Sequence, residues 1–306
     1  MRMKLVSVTC AVLVGPLVHV AAYGAPPSSA PTPQTRTYVS GTGSDNNPCI
    51  ATSPCKTFQA ALALTVAGGE IFVLNSANYG AVTINKSVSI TSEGAVAGVL
   101  ATSGVAVSIN AGPNDVVNLR GLVVDGGNSG STGIQFSSGQ SLNIQKSTVR
   151  NFTNAGINFT PSTSSTLSVS DVLVNGNGSN GILVSFSGSN PVNAVLNRVM
   201  ATKNGVGIFA NGPAVNVTVT DTVASNNNYG VGSSASAVMV RNSTVSNNAV
   251  GLAADQSAVL RFGQSTITAN GTGSTTTNGG QIQSYGNNNI SGNANDGTLT
   301  STLALR

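Results

Sequence analysis

The chain has 306 residues, of which 7% are charged and 40% are hydrophobic, and its formal net charge is +4. Because the hydrophobic fraction is high enough to line a core, the low charge does not indicate a disordered chain. The 13 Lys and Arg residues form no clustered run, which argues against the basic stripe of a nucleic-acid-binding surface.

Residues 1–25 have the layout of a secretory signal peptide. Arg2 and Lys4 precede an apolar segment that runs from Leu5 to about Val20, and small residues follow it. The segment contains Pro16 and is short, which argues against a membrane-spanning anchor. We therefore expect export to the extracellular or periplasmic space, with residues 26–36 forming a Pro/Ser linker.

Two cysteines remain after such a cleavage, Cys49 and Cys55. In an oxidising compartment, a single pair this close in sequence predicts a disulfide that closes one local loop. The alternative is a metal site, but two thiols alone cannot complete a zinc shell.

Residues 37–75 are predicted to form an N-terminal cap. In TFQAALALTVAGG, Phe58, Leu62 and Val66 share one face of a helix that Gly68-Gly69 would end. A helix laid over the first coil would protect an open strand edge from aggregation. Short apolar runs at 71–74, 82–84 and 88–90 then begin the repetitive part of the chain.

A short unit recurs through the rest of the chain. Its anchor, an apolar residue in an alternating segment, recurs every 21–27 residues: Leu119, Ile144, Val169, Leu196, Val219, Val240 and Phe262. Five positions later comes another apolar or small residue: Val124, Val149, Val174, Ala201, Ala224, Val245 and Ile267. Eight positions after the later anchors comes an asparagine: Asn177, Asn204, Asn227, Asn248 and Asn270. Each unit ends with Gly and a branched apolar residue: Gly133-Ile134, Gly156-Ile157, Gly181-Ile182, Gly207-Ile208, Gly230-Val231 and Gly251-Leu252.

This repeat predicts an all-β, single-stranded parallel β-helix. Period-two alternation broken by Gly excludes a helical repeat, and the Leu-x-x-Leu-x-Leu signature of leucine-rich repeats is missing. Coils stacked about 4.8 Å apart would place like residues over like, giving apolar ladders inside and an Asn ladder at one bend. Asn is expected there because it tolerates the left-handed backbone that such a bend requires. We expect one domain over 37–306 with roughly nine turns, comprising repeat coils at 76–270 and C-terminal coils and a cap at 271–306. Residues 271–280 are expected to be a flexible, turn-rich insertion.

The repeat and the opening PCKTFQAALALTVAGGEIFVL resemble right-handed parallel β-helix proteins of the pectin-lyase-like superfamily, more narrowly a secreted bacterial group without an established function. The resemblance runs from about Thr37 to the C-terminus. It implies a right-handed coil, and characterised enzymes of this fold are polysaccharide lyases and glycoside hydrolases. A fold supports many functions, so the activity must be argued from a site.

The acidic residues do not reproduce the family's catalytic pattern. Glycoside hydrolysis needs two carboxyl groups at a set separation, and β-elimination from a uronate needs a base and carboxylate-held Ca²⁺. The family's acids lie just before or within the strand that begins here at the repeated Gly, but none of the residues immediately before that Gly is acidic: Thr132, Ala155, Asn180, Val206, Tyr229 and Val250. Only Asp255 follows such a strand. Removal of the leader would also remove His19, the one histidine.

One polar column offers the best catalytic alternative. Two residues after the anchors come Lys146, Asp171, Arg198, Asp221, Asn242 and Gln264. Asp171 and Asp221 would stand two coils apart, about 9–10 Å, with Arg198 between them. The simpler interpretation, which we favour, is an exposed ion-pair ladder, and Asp125 with Arg150 is expected to form a similar pair. No metal or cofactor is predicted, with Ca²⁺ entering only under the lyase alternative.

A binding function needs fewer residues. In the strand after each repeated Gly, the predicted outward column is Gln135, Asn158, Leu183, Phe209, Gly232 and Ala253. Phe209 beside Leu183, with Tyr229 one turn on, would form a small apolar patch on which a sugar ring could stack, and Asn158 could hydrogen-bond its hydroxyl groups. Single exposed apolar residues are also ordinary. The sequence thus favours a secreted, non-catalytic β-helix that binds a carbohydrate or cell-surface partner along one flank; the alternative is a polysaccharide lyase or glycoside hydrolase with a non-standard site.

Overall fold

The structure is a computed structural model that describes residues 32–304, together with residues 2, 4, 5 and 9. The predicted signal peptide and most of the predicted linker lie outside the described residues. The compact unit that begins at Thr32 contains all the strands described below. Among the described residues, no helix has the length and apolar character needed to cross a membrane.

Residues 32–304 form one short helix and a series of short strands. The helix is α1 (Phe58–Leu64). In its N-terminal half the strands are β1 (Gln34–Val39), β2 (Thr65–Val73), β3 (Ala77–Asn78), β4 (Val82–Ile84), β5 (Val88–Thr91), β6 (Ala97–Leu100), β7 (Val105–Asn110), β8 (Val116–Arg120), β9 (Leu122–Asp125), β10 (Thr132–Ser138), β11 (Ser141–Gln145), β12 (Thr148–Arg150), β13 (Ile157–Phe159) and β14 (Thr166–Asn175). They continue as β15 (Asn180–Ser185), β16 (Val192–Thr202), β17 (Val206–Asn211), β18 (Val215–Thr220), β19 (Val223–Ser225), β20 (Tyr229–Ser234), β21 (Ala237–Arg241), β22 (Thr244–Ser246), β23 (Val250–Asp255), β24 (Val259–Gly263), β25 (Thr266–Thr268), β26 (Thr272–Thr276), β27 (Gln281–Ser284), β28 (Asn289–Ile290) and β29 (Ser301–Thr302).

The strands stack as a parallel β-helix, as the repeat predicts. Each coil contributes its first segments to a 20-stranded sheet and its last strand to a 9-stranded sheet. The anchors pair in register, with Val169 opposite Leu196 and Val219 opposite Val240. The Gly-Ile strands also pair in register, with Ile182 opposite Ile157 and Ile208. These side chains are fully buried, so the apolar ladders fill the interior of the coil.

The Asn ladder is present, and its bend differs from the prediction in one detail. Asn204 Nδ2 donates to Asn227 Oδ1 at 3.2 Å and to the carbonyl oxygen of Val174 at 3.2 Å. We expected the ladder residue itself to adopt the left-handed backbone. Instead the preceding residue does so, for example Lys203 with φ 56° and Asn226 with φ 57°. The ladder Asn is thereby free to turn its amide inward along the stack.

A second left-handed column lies two residues after the anchors. Its non-glycine members are Lys146, Asp171, Arg198, Asp221, Asn242 and Gln264, with φ between 48° and 57°. A left-handed residue bends the chain between two strands of one coil. The position after this column is in part a buried hydroxyl ladder: Ser243 Oγ accepts from the backbone N–H of Thr222, and Ser265 Oγ accepts from that of Ser243.

The cap helix forms but is shorter than predicted. Thr57 caps it by accepting from the backbone N–H of Ala60 at 3.2 Å. The helix ends at Leu64, and Val66 lies in strand β2 instead of on the helical face. The side chain of Gln59 accepts from the backbone N–H of Thr83 in β4, the first strand of the 9-stranded sheet. The helix therefore covers one open strand edge.

Two boundary predictions need correction. Strand β1 begins at Gln34, inside the segment predicted as linker, because it pairs in parallel with β2. Residues 271–280 are not a flexible insertion, since Thr272–Thr276 form the last strand of the 9-stranded sheet, paired with β23. The predicted disulfide between Cys49 and Cys55 is present, and both cysteines are buried.

Candidate functional site

The outer face of the 9-stranded sheet carries the candidate site. The predicted outward column is observed: Gln135, Asn158, Leu183, Phe209, Gly232 and Ala253 pair in register across six coils. Thr275 continues it in the next coil. A large ring at Phe209 is thus followed by three smaller residues, which makes the surface concave there.

This concavity, here called the Gly232 cleft, has a volume of about 330 Å³. Its floor is Gly232 with Ala253, and Phe209 stands at one end. A Cβ built on Gly232 would lie 3.0 Å from Phe209 Cδ2, so the ring leans over the glycine of the next coil. The glycine is required for this close approach, because any side chain at 232 would displace the ring or fill the cleft.

Two rows of side chains flank the floor. On one side Val206 pairs with Tyr229, whose residue surface is 43% exposed. On the other side Ser234 pairs with Asp255, and Thr277 lies beyond them. The cleft therefore has aromatic surface at one border and hydroxyl and carboxylate groups at the other.

Asp255 is fixed within its row. Thr277 Oγ1 and Asn278 Nδ2 each donate to Asp255 Oδ1 at 2.8 Å. These hydrogen bonds, that from Thr277 first, hold the pKa of Asp255 below its usual range. The carboxyl group is therefore ionised at neutral pH. Its second oxygen, Oδ2, accepts no hydrogen bond from the described side chains.

The structure separates the four residues predicted to bind carbohydrate. Phe209 and Tyr229 line the cleft, whereas Leu183 pairs beside Phe209 but lies outside it. Asn158 is two coils away from Phe209, and its Nδ2 donates to Gln135 Oε1 at 2.7 Å. Asn158 Oδ1 is buried without a hydrogen-bond partner. This amide is therefore poorly placed to contact a ligand in the cleft.

The column proposed as a catalytic alternative forms an ion-pair ladder in part. Arg198 forms a bidentate ion pair with Asp171: Nε donates to Oδ1 at 2.6 Å and Nη2 donates to Oδ2 at 2.9 Å. The hydrogen bond from Arg198 lowers the pKa of Asp171. Asp221 instead accepts from Asn197 Nδ2 at 3.0 Å and from Asn242 Nδ2. Arg198 is thus paired with Asp171, whereas Asp221 is hydrogen-bonded by side-chain amides.

Asp125 and Arg150 form the second predicted pair, with Arg150 Nε 2.7 Å from Asp125 Oδ2. Partial burial, the largest influence, raises the pKa of Asp125. Hydrogen bonds from Gly127, Arg150 and Asn151 outweigh it, so the net shift is downward. Within residues 32–304, no three Asp, Glu, Cys or His side chains are close enough to hold one metal ion.

Sequence reasoning missed the floor and one wall of the cleft. Gly232 was assigned to the outward column without notice that a glycine beside Phe209 makes a cavity. Asp255 was recognised as the acid after a repeated-Gly strand but was dismissed as solitary. The signal that would have found both is the register: they are one coil apart, Gly232 two residues after Gly230 and Asp255 four residues after Gly251.

Comparison with known proteins bears on the fold. No protein-family model and no curated protein matches the chain. The A-module of mannuronan C-5 epimerase AlgE4 from Azotobacter vinelandii is 12% identical over 78% of this chain and 91% of its own, with a TM-score of 0.48. Pectate lyase Pel9A is 14% identical over 90% of this chain and 79% of its own, with a TM-score of 0.52. At this identity the likeness to the pectate lyase shows a shared fold.

Proposed function

We propose that this pectin-lyase-like right-handed parallel β-helix is an exported protein that binds a carbohydrate in the Gly232 cleft without cleaving it. The observation that carries the proposal is one cleft that holds an aromatic ring, a glycine floor and a carboxylate whose Oδ2 accepts no hydrogen bond from the described side chains. Pectate lyase Pel9A is named for a polysaccharide, and we extend that ligand class, but not the reaction, to this chain. The partner would be a polysaccharide or a cell-surface glycan.

The chemistry of the cleft favours a neutral sugar. The faces of Phe209 and Tyr229 offer apolar surface for the C–H face of a pyranose ring. Asp255 Oδ2 and the hydroxyl of Thr277 can bond to sugar hydroxyl groups, and a hydrogen bond to an ionised group is stronger than a neutral one. A sugar carboxylate beside Asp255 would instead meet a like charge. From Phe209 to Thr275 the cleft spans three strand spacings, about 14 Å, which suits a short oligosaccharide segment.

The lyase or hydrolase alternative would use Asp171, Arg198 and Asp221. A general acid needs a raised pKa, but Arg198 shifts the pKa of Asp171 downward. This direction supports a structural ion pair and disfavours proton donation by Asp171 at neutral pH. The alternative predicts turnover, and the binding proposal does not.

The test is binding of neutral oligosaccharides to the purified protein, followed by titration calorimetry on those that bind. Phe209→Ala combined with Tyr229→Ala is expected to weaken binding roughly tenfold or more, since two aromatic contacts are lost. The control is Val195→Ala, because Val195 is 49% exposed on the other sheet and touches no part of the cleft. Unchanged affinity in the double variant would remove the cleft as the site.

Activity assays separate the two functions. Reducing-sugar release and the absorbance of unsaturated uronates would be followed on a polysaccharide panel, with and without Ca²⁺. We expect no turnover. Turnover that Asp171→Asn or Asp221→Asn abolishes would establish the enzymatic alternative.

A further inference from the structure

A second, larger cavity lies on the other flank of the coil, on the 20-stranded sheet. It has a volume of about 650 Å³. We name it the Arg241 slot, after the residue that gives it its charge; Gly263, Gln264, Tyr285 and Asn287 line it as well. It shares no residue with the Gly232 cleft.

The slot exists because a glycine interrupts an outward column. Arg241 pairs with Gly263 in the next coil, and Tyr285 follows Ser284, the residue paired with Phe262. A Cβ on Gly263 would lie 3.3 Å from Tyr285 Cδ2 and 3.4 Å from Asn287 Oδ1. The backbone positions of Arg241 and Tyr285 are therefore about two strand spacings, or 9–10 Å, apart along the stack, with Gly263 between them.

Arg241 is held in place but has no charge partner among the residues that the structure describes. Its Nε donates to Gln264 Oε1 at 2.9 Å, and the backbone N–H of Gln264 donates to Asn287 Oδ1 at 3.0 Å. The four ion pairs found among the described residues involve Arg36, Arg120, Arg150 and Arg198. Arg241 takes part in none of them, and within residues 32–304 its two terminal nitrogens make no hydrogen bond, since its side chain bonds only through Nε.

These groups point to one ligand chemistry. A guanidinium with two free terminal nitrogens matches the two oxygens of a carboxylate. Tyr285, with the apolar side chains of Met239 and Leu303 at the rim, offers a surface for a ring. We propose that the Arg241 slot binds a carboxylate-bearing sugar ring, with the carboxylate on Arg241 and the ring against Tyr285. The chain would then hold an acidic sugar on one flank and a neutral sugar on the other.

The test compares two probes that differ only at one carbon. Methyl glucuronide carries a carboxylate where methyl glucoside carries a hydroxymethyl group. Ligand-observed NMR titration of the purified protein is expected to show binding of the glucuronide and at least roughly tenfold weaker binding of the glucoside, the scale of a charge-assisted hydrogen bond. Benzoate, a ring with a carboxylate but no hydroxyl groups, tests whether a simple aromatic acid is bound equally well.

Arg241→Gln should weaken glucuronide binding roughly tenfold or more. Arg261→Gln is the matched control, because Arg261 lies one column away and its Nε makes the same 2.9 Å bond, to Gln283 Oε1. The control should stay within about twofold, since its charge lies outside the slot. Tyr285→Ala should also weaken binding, and a circular dichroism melt verifies that each variant is folded.

Three outcomes would overturn the proposal: equal binding of glucuronide and glucoside, benzoate binding as tightly as the glucuronide, or equal losses in Arg241→Gln and Arg261→Gln. Absence of glucuronide binding to the unmodified protein would overturn it too. None of these outcomes bears on the Gly232 cleft, which Phe209→Ala with Tyr229→Ala tests separately.

Discussion

The ring of Phe209 leans over Gly232 of the next coil, so closely that a Cβ at position 232 would lie 3.0 Å from Phe209 Cδ2. In a stacked coil, like positions normally fill the space above one another. Here the large ring of Phe209 lies next to Gly232, which has no side chain. The mismatch opens a cleft on an otherwise regular flank, next to Asp255 and Tyr229.

Gly232→Val should abolish or strongly weaken sugar binding while leaving the coil folded. The new side chain would occupy the floor of the cleft and push the Phe209 ring aside, whereas a β-branched residue suits a strand. Titration calorimetry with a bound oligosaccharide and a thermal melt provide the two readouts. Ala237→Val, at a strand position on the other sheet, should change neither, and full affinity in Gly232→Val would contradict the assigned floor.

Asn227→Ala should destabilise the coil by about 3 kcal/mol. Asn227 Oδ1 accepts from both the backbone N–H and Nδ2 of Asn204, and its Nδ2 donates to Ala201 and Asn248, all in a buried position. Its loss leaves several buried polar groups unpaired, at about 1–3 kcal/mol each before any water enters. Urea unfolding measures the change.

Asn216→Ala is the control for this ladder, because Asn216 is exposed and donates only a 3.3 Å bond to Asn193. A change within about 0.5 kcal/mol is expected there. Equal effects of the two substitutions would show that the ladder adds no stability.

Ala269→Gly should stabilise the protein by about 0.5–1 kcal/mol. Ala269 is exposed and left-handed, with φ 55°, a backbone conformation that costs a residue with a Cβ roughly 1–2 kcal/mol. Glycine removes that cost and loses part of the gain through its greater freedom when unfolded. Ala237→Gly, within a strand, should instead destabilise by about 0.5–1 kcal/mol. Denaturant unfolding that gives both variants the same sign would contradict the assignment.

Stability should fall in acid in part because of Asp125. Its pKa is lower in the folded chain than the ordinary value of 3.8, so the unfolded chain binds the proton more readily. The contribution is present above the ordinary value and is lost as the pH falls through the lowered folded pKa. Unfolding curves between about pH 5 and pH 2 should show a shallower decline for Asp125→Asn than for the unmodified chain. Parallel profiles would contradict this role.

The periodic part of the fold could be read from the sequence, whereas its local interruptions could not. The anchors and the Asn column follow a strict register, because stacking places each residue over its counterpart. Val66 was predicted to lie in the cap helix but lies in β2. A short helix is only marginally stable, so the pairing of β2 with neighbouring coils outweighs the helical propensity of this segment. Strand β26, read as a loop from its Gly and Thr content, is likewise held by its pairing with β23.

The Gly232 cleft and the Arg241 slot could not be predicted from the sequence for a related reason. A ladder shows in the sequence as a repeated residue type, whereas a cavity forms where one position of a column has no side chain. Gly232 and Gly263 each open space only because an aromatic residue, Phe209 or Tyr285, stands in an adjoining coil. Arg241 lies opposite Gly263, and no acid among the described residues neutralises it. This arrangement can be predicted only when the pairing of the two strands is known.

The most direct measurement is a crystal structure of the protein soaked with a neutral oligosaccharide that it binds in solution. We expect density for a sugar ring against Phe209 and Tyr229, with a hydroxyl group within hydrogen-bonding distance of Asp255 Oδ2. Density for the sugar on another flank, or between Asp171 and Asp221, would contradict it.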